Sequence, residues 1–331
     1  MNAVRESTRG GVAAVPALQP NDRGGQQSMA VNFKQIGQRL RAYRMGANLT
    51  PEQVADRLGI SRAALYKYEK GGVIKLETIE RLSKLLGVSV TSLLGPGVEY
   101  FANAVSFFER MRQLEAESDQ VITYFESFSL LLTSPSYTKI LRQMLVEGLP
   151  RDLKDRAGAL AEVDQIIRIM EERRQEFGRH HPSVLSLVGA TQIRRLLRAG
   201  LIGTYRLSPA EQEKRRQQAR AQVESMIALM EHEPIGVQTG VVEDTLPNQS
   251  FQILRQRDTT IVAVSPFRLG ELPNIRLGVA SITAAEEPAA LYQAVASELW
   301  RRAHKGPRGA DFLRKILSES VPALPRRGRK S

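Results

Sequence analysis

The 331-residue chain contains no cysteine. That absence removes disulfides, thiol redox sensing, cysteine nucleophiles and sulfur-ligated zinc, and it suits a reducing cytoplasm. Histidine is scarce too, with four copies. His180 and His181 are adjacent, so they diverge by about 100° on a helix or face opposite sides of a strand, and neither geometry chelates one metal easily. His232 stands in MEHEP, without the second histidine of an HExxH zinc helix. No apolar run approaches the ~18 residues that a bilayer-spanning helix needs. The stretch GGVAAVPAL after Arg5 and Arg9 is short, broken by Pro16 and followed by no processing site, so it is not expected to be a targeting segment. GxSxG, Walker A and GxGxxG are missing, as is the cleavage dipeptide of self-cleaving repressors. These absences point to a soluble cytoplasmic protein with no metal, no cofactor, no membrane partner and no enzymatic activity.

What the chain does have is positive charge. Lys and Arg exceed Asp and Glu by 47 to 35, a formal net charge of +12. Phe33 to Gly97 alone holds eleven basic and five acidic residues, a net of +6. Half of the excess thus sits in about a fifth of the chain, a clustering that predicts a polyanionic partner.

Within that segment, LTPEQVADRLGISRAALYKYEKG (Leu49 to Gly71) reads as two short helices joined by a tight turn. Thr50 is placed to cap the first helix, with Pro51 at its first position and Gln53 completing a capping box. Val54, Ala55 and Leu58 make its apolar face, with Ala55 small enough for close helix approach, and Gly59 ends it. Ser61 is placed to cap the second helix, which turns Ala64, Leu65 and Tyr68 to one side and Arg62, Ala63, Tyr66 and Lys67 to the other. The second set is cationic and compact, which suits base edges in a major groove.

These residues resemble the Cro/lambda-repressor type of helix-turn-helix, the xenobiotic-response-element family, from about Phe33 to Gly95. The likeness takes in FKQIGQRLRAYRMGANL, the LTxEQVAxxLGIS core, YEKG and LETIERLSKLLGVSVTSLL, five helices in the family's order. It implies a sequence-specific DNA-binding transcriptional regulator whose helix Ser61 to Glu69 enters the major groove of double-stranded DNA. Arg62, Ala63, Tyr66 and Lys67 would face bases, and Arg39, Arg41, Lys70 and Lys75 would face phosphates. The family's pairing of a first-helix arginine with the glutamate ending the recognition helix falls on Arg44 and Glu69. Members often carry a backbone-contacting Gln where this chain has Pro51, and proline offers neither that side chain nor an N–H. One such domain binds a half-site weakly, so a homodimer on a near-palindrome is implied.

The rest of the chain reads as follows. Residues 1–31 are rich in Gly, Pro, Gln, Asn and Ser and are expected to be a disordered extension, with Met29 an alternative start. The helix-turn-helix domain spans 32–97 and closes at Gly95-Pro96-Gly97. Residues 98–180 read as a helical connector: Phe101, Val105, Phe108 and Met111 recur at helical spacing, and so do Leu160, Val163, Ile167 and Met170 within Asp152 to Phe177. Either stripe can be a core face or a dimer seam.

From 181 to 320 the pattern alternates. PSVLSLV reads as a strand, ATQIRRLLRAG as a helix, and Ser208 to Glu211 opens a long helix with a capping box. Strand-like runs follow at 235–242, 250–255, 259–265 and 275–282, and helices at Pro288 to His304 and Gly309 to Leu317 close the pattern. This is an α/β or α+β domain for dimerisation or for sensing a small-molecule effector. Its order of elements resembles the unknown-function domain that follows similar helix-turn-helix modules in actinobacterial regulators. Arg194, Arg195, Arg198, Arg268 and Arg276 are either surface arginines or receivers of an anionic ligand, and Glu243 with Asp244 reads as a turn former. An enzyme tethered to DNA and an antitoxin-like interaction protein are the alternatives for this half. Residues 321–331 form a basic tail expected to be disordered.

Overall fold

Asn32 caps α1 (Phe33–Gly46) by accepting from the Gln35 backbone N–H at 3.2 Å. In α2 (Pro51–Leu58) the Thr50 hydroxyl accepts from the Gln53 N–H at 3.2 Å, and the Gln53 side chain accepts from the Thr50 N–H at 2.8 Å. Gly59 then turns the chain in the left-handed region, φ 62°, where a Cβ is penalised. Ser61 caps α3 (Arg62–Glu69) through the Ala64 N–H. α4 (Leu76–Leu86) and α5 (Val90–Leu94) complete the helical amino-terminal region. Ile36, Leu40, Val54, Leu58, Leu65 and Leu82 are buried together at its centre.

This computed structural model describes residues 32–95, 97–125, 129–134, 136–244 and 247–320. The expectations for 1–31, Met29 and the tail 321–331 lie outside the described residues.

In the helical region α1 runs close to the end of α3. A Cβ built on Gly37 would lie 2.3 Å from the Tyr68 carbonyl oxygen and 2.7 Å from that of Glu69. Both obstacles are backbone and cannot rotate away. Gly37→Ala is therefore expected to destabilise the region by roughly 1–3 kcal/mol, as overpacking does. A thermal melt reads this directly, and an unchanged midpoint would show that α1 and α3 separate at no cost.

Beyond the helices the chain continues through β1 (Val98–Phe101), α6 (Ala104–Glu115), β2 (Gln120–Phe125), α7 (Tyr137–Glu147) and α8 (Arg156–His180). Next come β3 (Ser183–Gly189), α9 (Ala190–Ala199), α10 (Pro209–His232), β4 (Val237–Val242), β5 (Ser250–Gln256), β6 (Thr259–Ser265) and β7 (Ala280–Thr283). α11 (Glu286–Arg302), β8 (His304–Lys305) and α12 (Gly306–Glu319) end the described chain. The eight strands form one mixed sheet in the order β1-β7-β6-β5-β2-β3-β4-β8, with β2, β3 and β4 parallel and the remaining pairs antiparallel. The fold is thus a helical amino-terminal region joined to an α/β portion.

Alternation along the strands divides the core. Ile122, Tyr124, Phe251, Ile253 and Val262 pack with Leu299 of α11, while Val121, Leu254, Ile261 and Ala263 pack with α6 and α8. Val188 and Val241 meet α9, α10 and α12 in a third cluster.

Two readings of the sequence need correction, and one that the sequence left open is decided. The stretch after Gly97, taken as helical, contributes β1 and β2 to the sheet around α6. VITYF is a short, largely apolar run whose period cannot separate helix from buried strand, and pairing with β3 and β5 on both sides decides it. The run 275–282 becomes a strand only from Ala280, because the Asn274 carboxamide accepts from the Arg276 and Leu277 N–H groups and holds a turn before it. The α8 stripe is core: Val163, Ile167 and Met170 are buried within this chain, so those residues offer no seam to a second copy.

Candidate nucleic-acid interface

Leu65, fully buried, fixes the rotation of α3. With that side anchored, Arg62, Ala63, Tyr66 and Lys67 all emerge on the solvent side of the helix. Arg62 is held before any partner arrives. Its Nε lies 2.6 Å from Glu52 at the start of α2, its Nη2 donates to the Tyr66 hydroxyl at 3.2 Å, and its guanidinium stands 5.3 Å from the Tyr66 ring centre. The Glu52 carboxyl is held below the usual carboxylate range, first by its own backbone N–H and then by the Thr50 hydroxyl and Arg62, so it stays ionised at neutral pH. Glu52 drew no attention in the sequence; a first-turn acid ten residues before an exposed arginine is its only trace. Lys70 and Lys75 are exposed on the connection from α3 to α4.

α3 is tied to α1 by Arg44. Its Nε and Nη2 donate to the two Glu69 carboxylate oxygens at 2.5 and 3.1 Å, and Nη1 donates to the Leu49 carbonyl at 2.9 Å, with both side chains almost wholly buried. A bidentate pair of this kind fixes direction as well as distance.

Arg39 and Arg41 belong elsewhere. Arg39 is 5% exposed, lies 2.8 Å from Glu99 and donates to the Leu94 carbonyl and the Gln35 side chain, which withdraws it from any phosphate. Arg41 is half exposed and faces the buried Glu109 at 3.3 Å. Both arginines sit in a polar seam between α1 and α6. There Arg110, 1% exposed, donates to both Glu99 oxygens at 3.0 and 3.1 Å and to Gln38 at 3.2 Å. Gln113 donates to the Gln38 carbonyl at 3.1 Å, and Glu117 takes Lys34 and Gln38 at 2.9 and 3.0 Å. Sequence reasoning missed this seam. Its one trace is the recurrence of Glu109, Arg110 and Gln113 between the apolar positions of α6.

The remaining arginines are spread over several places, and two of them share one groove. Arg194 pairs with Glu319 at 3.2 Å, Arg195 with Glu271 at 2.9 Å and Arg276 with Glu162 at 3.5 Å, while Arg268 pairs through its backbone with Asn274. Arg198 shares a groove between α9, α10 and α12 with Arg194, Arg216 and Arg220. Asp244 meets Arg302 at 3.1 Å, and Glu243 meets His304 at 3.5 Å. His181 takes the left-handed cap after α8, φ 46°, away from metal-ligating company. Among the described residues no group of three or more His, Cys, Asp or Glu is placed to hold a metal ion, and no helix is long and apolar enough to cross a membrane.

Comparison with known proteins agrees with the geometry of the amino-terminal region. Residues 40–93 match the model of a Helix-turn-helix family. The HTH-type transcriptional activator BcrR of Enterococcus faecalis is 38% identical over 61 residues, which are 18% of this chain and 30% of that protein. Among solved structures, TrmBL2, an archaeal chromatin protein, aligns over 80% of this chain and 92% of its own at 11% identity with a TM-score of 0.31, a likeness too slight to carry an argument. The five amino-terminal helices and the family match together identify residues 40–93 as a helix-turn-helix domain of the Cro/CI type, joined here to an α/β portion built on an eight-stranded mixed sheet.

Proposed function

We propose that this chain is a cytoplasmic, sequence-specific DNA-binding transcriptional regulator that acts as a homodimer on a near-palindromic operator. The observation that carries the reading is the exposed face of α3, where a guanidinium, a methyl, a phenol and an ammonium stand together on a helix anchored from behind by Leu65. Arg62 and Lys67 are donors suited to guanine N7 and O6, Ala63 suits a thymine methyl, and Tyr66 orients Arg62. Lys70 and Lys75 serve phosphates flanking the groove. On docking, Arg62 exchanges Glu52 for a base edge, so part of its organisation precedes binding.

Selection of bound sequences from a random duplex pool tests this. The parent is expected to enrich a two-fold symmetric motif. Arg62→Ala is expected to relax one position in each half-site at a cost of roughly 1–3 kcal/mol, whereas Lys70→Ala weakens all sequences alike and reduces the salt slope by about 1. A parent that enriches no motif would sink the reading.

Dimerisation and effector sensing fall, in this proposal, to the residues beyond 97. The 98–180 and 181–320 stretches act there as one body, since β1 and β2 share a sheet with β3 to β8.

A further inference from the structure

On the other side of α6 from the α1 seam lies a cavity of about 60 Å³. Its walls are aromatic: Phe107 and Phe108 of α6, and Phe267 of the β6–β7 connection, which stands 6.0 and 6.5 Å from the first two rings. Among the buried polar side chains that interrupt the apolar lining, three matter to a ligand. The Ser129 hydroxyl is 3% exposed and has no hydrogen-bond partner. Gln252 gives its amide to Glu115 at 3.2 Å. Arg173 is 5% exposed and spends three N–H groups, two on Glu115 at 2.8 and 2.6 Å and one on the Met170 sulfur. A guanidinium has five.

The chemistry selects an occupant. Flat rings suit aromatic walls by offset or edge contacts. A buried hydroxyl left unsatisfied and a guanidinium with N–H groups to spare both ask for an acceptor, best of all a charged one. No acidic side chain is among the described residues of the lining, and the carboxylate behind it, Glu115, is taken up by Arg173 and Gln252. The space exceeds the roughly 10–15 Å³ of a single water and is below the roughly 150 Å³ that holds a benzene ring, so the ligand is limited to about one ring with a short substituent, and that ring enters only by moving the walls.

We infer that this cavity binds a small aromatic carboxylate of about the size of benzoate, and that its occupancy is passed through α6 to the helix-turn-helix domain. The second half rests on the regulator reading above. The route is short. Phe107 and Phe108 wall the cavity, and the next two residues, Glu109 and Arg110, contact Arg41, Gln38 and Glu99 in the seam. A ring that displaces the two phenylalanines turns α6 against that seam, and packed polar contacts respond by rearranging rather than stretching.

Titration calorimetry with sodium benzoate tests the cavity without DNA. The parent chain is expected to bind one equivalent with a sub-millimolar Kd, benzamide to bind about tenfold more weakly for want of the charge, and Ser129→Ala to lose about fivefold. Ala263→Leu, which fills the cavity from β6, is expected to abolish binding. No heat from benzoate with the parent, or equal binding by Ser129→Ala and Ala263→Leu, would overturn the cavity assignment, and Ser129→Ala keeps that test alive if the leucine variant does not fold. The coupling is read separately, as duplex affinity with and without saturating benzoate: a shift of about fivefold or more in the parent, absent in the Ala263 variant, supports it. Benzoate binding with unaltered duplex affinity refutes the coupling alone, and a parent that binds no duplex refutes the regulator reading while the calorimetry still decides the cavity.

Discussion

Glu99→Ala is expected to lower the stability of the chain by roughly 3–5 kcal/mol, the largest effect of any single substitution in the seam. The carboxylate is almost fully enclosed and faces two guanidiniums, Arg39 at 2.8 Å and Arg110 at 3.0 Å, of which Arg110 is among the largest fully buried side chains of the molecule. Its removal leaves two desolvated cations facing each other. Gln38 and Gln113 still accept from Arg110, and Leu94 and Gln35 from Arg39, but no counter-charge remains within the contact. Urea denaturation followed by far-ultraviolet circular dichroism reads the change as a drop in midpoint. A midpoint equal to the parent's would show that water reaches the seam and that its ion pairs contribute nothing.

A loss of similar size, again roughly 3–5 kcal/mol, is expected for Glu69→Ala, but confined to the helix-turn-helix domain. Arg44 would keep the Leu49 carbonyl and lose both carboxylate bonds. The double change Arg44→Met with Glu69→Leu separates charge burial from simple loss of contact, because an apolar pair of similar volume is expected to recover most of the deficit. Limited proteolysis localises the effect: cleavage within 33–95 should precede cleavage in the sheet. If the single alanine variant melts with the parent, the pair is ornamental.

The helix-turn-helix was legible because its information is local. Thr50, Pro51, Gln53, Gly59 and Ser61 act on their own helix ends, and a 3.6-residue period is enough to say which side of α3 holds Leu65 and which holds Arg62. Arg39 was misplaced for the opposite reason. Its partner lies sixty residues on, in a strand taken for a helix, and no local rule distinguishes an arginine bound for phosphate from one bound for Glu99. The strands β3 to β6 were recognisable from β-branched runs between turn residues, whereas β1 and β2 depend on neighbours remote in sequence. The aromatic cavity was invisible because its rings come from α6 and the β6–β7 connection, which only the sheet brings together.

The polar seam also limits how this chain can be re-engineered. A foreign head grafted at Gly95 would arrive without Gln38, Arg39 and Arg41 and would strand Glu99, Glu109 and Arg110 against a mismatched helix. A working chimera therefore has to retain the outward face of α1 and accept new specificity only through α3.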